Sequence, residues 1–415
     1  MTPTQLSIAF FLQVAVILIT CRLVGTAAQR WFGQPRVVGE MIAGVLLGPS
    51  LLGALAPEVQ EFLFPKESKP ILFVIAQFGV GLYMLLVGLG FDRGEFRRGA
   101  RGAASVSLAG MAAPFAVAVA VAPWLLKHGG LFTPNVTQFE ATLFMGAAIA
   151  ITAFPMLARI IHERGLSGTS LGTLSLSAGA IDDAGAWVLI ALVLASFGDG
   201  PQVAVLAIGG GIAFALFMIL LAPRLLTVLD RRVTLHGLDE TALGIVLILY
   251  LLCAWAMDVA GIHAVFGGFL LGTAMPRGKL TEAIREKLEP VTVVLLLPFF
   301  FTYSGLHTEL TLLADPALLA VAGLILVLSI AAKGGACYLA ARLSGQDHAT
   351  ASGIGALMNA RGLMELIVIN IGLQRGIITP ALFSMLVVMA IVTTLMASPL
   401  FEALYGRRAR AEGRL

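Results

Sequence analysis

Asp182 and Asp183 stand side by side in the middle of one apolar run, and Lys333 stands alone in another. An ionisable side chain near the centre of a bilayer costs at least about 2.5–3.5 kcal/mol, so each one needs a reason. Arg361 and Glu365, one helical turn apart, share a third such run. Neighbours on a helix point about 100° apart, so the two aspartates cannot face one partner equally. One can take a salt bridge, for which Lys333 is the natural counter-charge, while the other faces a water-filled cavity. Two negative charges against one positive leave a net negative site that suits a cation. Burial and a neighbouring like charge both disfavour an ionised carboxylate, so such a group can trade a proton for a metal ion near physiological pH. The plainer alternative is that the three charges merely glue helices, a use that rarely puts three charges at the midplane. Arg361 and Glu365 fit an intrahelical pair holding a broken helix as well as they fit contact with an ion. Glu40 reads as an interfacial or capping residue, and Arg22 lies close enough to an interface to snorkel.

The elements that carry these residues are membrane spans. Of 415 residues, 58% are hydrophobic and 12% charged, roughly half the charge of a soluble domain. Apolar runs of about 18 to 25 residues recur from end to end, and a helix satisfies its own backbone in lipid where a lone strand does not. Hydropathy places about thirteen spans, at 5–28, 37–53, 70–91, 101–125, 140–162, 172–197, 202–227, 240–258, 262–276, 286–306, 316–343, 348–373 and 379–402. The first run lacks a basic segment before it and a cleavage site after it, so it reads as a retained span. Beyond Glu402 only a basic tail remains, and no soluble tail domain is expected. Cys21, Cys253 and Cys337 fall within apolar runs and read as packing residues. No cofactor and no nucleic-acid partner is implied.

Charge outside the spans orients them. With the N-terminus outside, the loops on one face hold only Lys66, Lys69, Lys127 and Arg375, of 27 lysines and arginines in all. Nearly all the rest fall on the inner loops, which puts the C-terminus in the cytoplasm. Two spans are interrupted near mid-membrane. The fifth reads Ile149-Ala150-Ile151-Thr152-Ala153-Phe154-Pro155, where proline removes a donor and clashes with the preceding turn. The twelfth reads Leu357-Met358-Asn359-Ala360-Arg361-Gly362, polar and glycine-containing within an apolar run. Breaks at corresponding places in two halves point to inverted repeats, with spans four to six matching eleven to thirteen. The fourth span starts inside and the eleventh outside, as inversion requires.

Together these residues resemble a known family. Thr152-Ala153-Phe154-Pro155-Met156-Leu157-Ala158-Arg159, then Ala180-Ile181-Asp182-Asp183 and Ala186-Trp187, is similar to the second branch of the monovalent cation:proton antiporters. That branch comprises bacterial sodium/proton and potassium/proton exchangers and plant cation/proton exchangers. Met358-Asn359-Ala360-Arg361-Gly362-Leu363-Met364-Glu365-Leu366 resembles the plant-type twelfth span, and Pro35-Arg36-Val37-Val38-Gly39-Glu40 with Gly44 and Gly48-Pro49-Ser50 resembles the family's second. The resemblance implies an all-α fold of thirteen spans, with inverted repeats and two broken crossing helices. It also implies a homodimer in the bacterial inner membrane. Residues 1–92 and 240–306 would form a dimerising scaffold, 101–197 and 316–402 an ion-carrying core, and 202–227 a linking helix. The core would slide against the scaffold in an elevator-like motion. By similarity, Asp183 binds metal cation and proton in turn, with Asp182 and Thr152 contributing and Lys333 as salt-bridge partner. Phe154, Pro155, Arg361 and Glu365 would support the broken helices. Paired aspartates resemble the sodium/proton members and the twelfth span those linked to potassium, so the implied substrates are Na⁺ or K⁺ and H⁺.

Other classes fit less well. A cation channel would need a repeated filter loop, which the sequence lacks. An intramembrane aspartyl protease needs carboxylates converging from different helices, and a membrane sensor needs a signalling domain.

Overall fold

The computed structural model describes residues 2–34, 36–90, 93–127, 130–154, 157, 160–161, 164, 166, 169–196, 201–260 and 264–411. Among the described residues the chain is helical almost throughout, and eight helices are long and apolar enough to cross a membrane. The chain is an all-α polytopic membrane protein. In the spans over Pro3–Phe32 and Pro316–Leu343 only 22% and 17% of the apolar stretch is buried. Phe11, Ile19 and Val327 lie open on such faces, a surface that lipid covers and water would penalise.

The eight fall short of thirteen partly because two expected spans are divided. The fifth is helical over Gln138–Ala150, loses its helix at Ile151–Ala153 and regains it at Phe154. The twelfth is split into His348–Leu357 and Leu363–Gln374. A 13-residue helix rises only about 20 Å, too little to cross the hydrocarbon core alone. A capping box opens the first of these pieces. The Thr137 hydroxyl accepts from the Glu140 N–H at 3.3 Å, and the Glu140 carboxylate accepts from the Thr137 N–H at 2.7 Å.

The seventh expected span is corrected by the structure. Instead of running to residue 227 it ends at Leu220, and a second helix, Ala222–His236, leaves at 45°. Pro223 in the first turn of that helix fits the restart. Gly237, at φ 78°, closes it in a conformation that favours glycine.

Residues group by contact into two units. The first holds Met1–Cys21, Ala56–Phe91 and Ile190–Tyr303, and the second holds Arg22–Leu55, Asp92–Leu189 and Ser304–Leu415. In the first, Lys69–Gly90 packs closely on Ala264–Ala274. Gly268 and Gly272 make the approach possible, because a Cβ on Gly272 would lie 2.2 Å from the Leu85 carbonyl. In the second, Arg93–Lys127 packs on both Gln138–Ala150 and Pro316–Leu343. Val106, Leu157, Ile161, Cys337, Leu357 and Met358 are among its buried core.

Candidate functional site

Breaking a helix exposes its last carbonyls, and in a membrane these must find donors. At the end of Gln138–Ala150 they find two cations. Arg361 donates from Nη1 to the Ala148 carbonyl at 3.2 Å and from Nη2 to the Ile149 carbonyl at 2.6 Å. Lys333 Nζ donates to the Ala150 carbonyl. Positive charge at a helix C-terminus also opposes the negative end of its dipole. The two breaks are stitched directly as well: the Ala153 N–H donates to the Ala360 carbonyl at 3.0 Å. Gly362, at φ 154°, lets the second helix restart beside Arg361. Near the far ends of the same two spans, an antiparallel bridge joins Phe132 and Ile378.

Arg361 is wholly buried, and its planar fork reaches the two carbonyls from two separate nitrogens, a spacing that one ammonium nitrogen does not reproduce. Arg361→Lys is expected to leave one carbonyl unpaired and cost about 1–3 kcal/mol, read as a lower melting temperature of the detergent-solubilised protein. An unchanged melt would remove this capping role.

Asp182, on the helix Ser170–Ser196, is the most fully bonded carboxylate of the site. Lys333 Nζ lies 2.8 Å from its Oδ2, with both side chains entirely buried. The Thr152 hydroxyl lies 2.8 Å from the same oxygen, and the Ser107 hydroxyl donates to Oδ1 at 2.5 Å. Thr152 carries a single hydroxyl proton and also stands 3.1 Å from the Met358 carbonyl. The charged acceptor is nearer and binds more strongly. Lys333 completes its own set with the Gly110 carbonyl at 3.5 Å, so its three protons face three acceptors. A buried ion pair needs such auxiliary bonds to offset desolvation.

The structure thus gathers Asp182, Lys333, Thr152 and Arg361 around the crossing breaks. Glu365 lies 3.5 Å from Arg361 Nη1 through one oxygen. Its other oxygen and Arg361 Nε have no hydrogen-bond partner among the described residues. Phe154 is buried where the fifth span resumes its helix. Pro155 lies outside the described residues. Asp183 belongs to the helix Ser170–Ser196, but its side chain too is outside them. The break in the fifth span occupies Ile151–Ala153, ahead of the proline taken as its cause. Glu40 is the fifth residue of Arg36–Leu47 and is buried, in the second turn of the helix. Sequence reasoning missed Ser107 and Thr394. The Thr394 hydroxyl is 2.5 Å from the Arg361 carbonyl and 2.6 Å from the Ala390 carbonyl one turn back.

The family profile described as sodium/hydrogen exchanger, transmembrane, matches residues 15–404. The chain belongs to that family. Among exchanger-family relatives, it is 38% identical over 401 residues to the Na⁺/H⁺ antiporter NhaS4 of Synechocystis, covering 94% of this chain and 96% of the relative. It is 34% identical to cation/H⁺ antiporter 18 of Arabidopsis thaliana, covering 97% of this chain and 50% of that protein. The K⁺/H⁺ antiporter 1 of Saccharomyces cerevisiae is 30% identical, with 95% of this chain and 46% of that protein covered. The chain therefore spans about half the length of those plant and yeast relatives. The exchanger fold is matched by the sodium proton antiporter MjNhaP1 from Methanocaldococcus jannaschii, with a TM-score of 0.69 at 16% identity and 99% and 98% of the two chains covered.

Proposed function

We propose that this chain is a secondary active antiporter that exchanges a monovalent cation, Na⁺ or K⁺, for protons. One observation carries the reading. Asp182 sits at two crossing helix breaks with its oxygens occupied by Lys333, Thr152 and Ser107. Its neighbour Asp183, about 100° around the same helix, is then the carboxylate left to bind cation and proton in turn. Relatives named Na⁺/H⁺, K⁺/H⁺ and cation/H⁺ antiporters support the substrate class.

In this proposal residues 101–197 and 316–402 form the moving core, 1–92 and 240–306 the dimerising scaffold, and the helix Pro201–Leu220 the link. Alternating access follows from an elevator-like displacement of the core within a homodimer. In the same proposal thirteen spans run with the N-terminus outside and the C-terminus in the cytoplasm of a bacterial plasma membrane. The gathering of the site residues in the second contact unit supports this division, although that unit also includes Arg22–Leu55.

The direct test is dissipation of an imposed pH gradient in proteoliposomes on adding Na⁺, K⁺ or Li⁺. A saturable, cation-dependent signal is expected, and the cation that elicits it names the ion. Silence with all three, from protein shown to be folded, would overturn the proposal. Conductance far above carrier turnover would replace it with a channel.

A further inference from the structure

The helix Ala222–His236 takes no part in the site. Ala222, Leu226, Leu229 and Val233 recur every three or four residues and are buried, and the helix packs against Lys279–Val291 within its own unit. The opposite face is open and mixes two kinds of side chain. Leu225, Val228 and Leu235 are 64%, 72% and 77% exposed, and Arg224, Arg231 and Arg232 are exposed among them. A helix side facing water is normally polar, and one facing hydrocarbon avoids arginine. Apolar and cationic side chains on one open face instead match the headgroup level of a bilayer. There the leucines enter the acyl boundary while guanidinium groups reach phosphate oxygens.

Charge favours an anionic leaflet. The helix has one acidic residue, Asp230, which is partly buried off this face. Arg232 is held by Asp239 at 2.7 Å, whereas Arg224 and Arg231 make no ion pair among the described residues. The 45° departure from Pro201–Leu220 also takes the helix off the line of that span.

We propose that Ala222–His236 is a docking surface for anionic phospholipids of the leaflet beside the basic loops. Arg224 and Arg231 take the lipid phosphates, and Leu225, Val228 and Leu235 enter the acyl layer. The test titrates phosphatidylglycerol and phosphatidylcholine onto the purified full-length protein and counts bound lipid by native mass spectrometry. Wild type is expected to prefer phosphatidylglycerol, and Arg224→Gln/Arg231→Gln to lose roughly fivefold in that preference for each arginine removed. Arg224→Lys/Arg231→Lys should keep most of it, since charge is retained. No preference in wild type, or one undiminished in the glutamine variant, would overturn the proposal. So would full competition by glycerol 3-phosphate, which has no acyl chain and would mark a site for a free anion. The lysine variant and the competition arm still decide if the glutamine variant does not fold.

Discussion

Asp183→Asn is expected to abolish cation-dependent proton movement in proteoliposomes while leaving the protein folded. Asparagine keeps the shape of aspartate but neither titrates nor supplies the charge that offsets the hydration a cation leaves behind. If one carboxylate alternates between proton and cation, the amide breaks both halves of the cycle. The expected loss is essentially complete, on the order of a hundredfold or more, since an uncompensated charge near mid-membrane costs at least about 2.5–3.5 kcal/mol. The same estimate predicts that Asp183→Asn melts no lower than wild type, because a costly charge has been removed. Exchange at the wild-type rate in this variant would take Asp183 out of the mechanism.

Lys333→Ala is expected to cause the largest loss of stability. It strips Asp182 of its counter-charge in a wholly buried position and takes a donor from the Ala150 and Gly110 carbonyls. Orphaning one member of a buried ion pair costs about 3–5 kcal/mol. The pH profile of exchange should shift as well, because Asp183 would then adjoin an uncompensated carboxylate. Adding Asp182→Asn to Lys333→Ala should recover much of the stability, since the double variant no longer buries a lone charge. Unchanged melting and an unchanged pH profile in Lys333→Ala would sink the bridge as a structural and functional element.

The ionisable residues were legible because charge in an apolar run has few explanations. Asp182, Asp183, Lys333 and Arg361 stood out on cost alone; sign gave Lys333 an aspartate partner, and the family resemblance chose Asp182. Ser107 and Thr394 gave no such signal. A hydroxyl in a membrane helix can satisfy itself on the carbonyl one turn back, as Thr394 does with Ala390, so its second contact cannot be read from the chain. The break in the twelfth span was visible at Gly362. That in the fifth was drawn toward Pro155, although the helix already ends at Ala150, where Lys333 and Arg361 supply its missing donors. The helix Ala222–His236 was hidden because Leu225 and Leu226 prolonged the apolar stretch before it. The recurrence of Leu226, Leu229 and Val233 up to Gly237 was the signal that could have revealed it.

The saturation of Lys333 has an electrical consequence. An ammonium whose protons face Asp182, Ala150 and Gly110 would, in the proposed cycle, move with Asp182 as a self-compensating dipole and carry no current of its own. In the proposed cycle, the charge displaced per crossing is then set by whatever occupies Asp183. A carrier returning with that carboxylate bare would drag a naked negative charge through hydrocarbon, a penalty of roughly a hundredfold in rate. In that cycle leak would be suppressed by electrostatics, and tight coupling would need no separate gate.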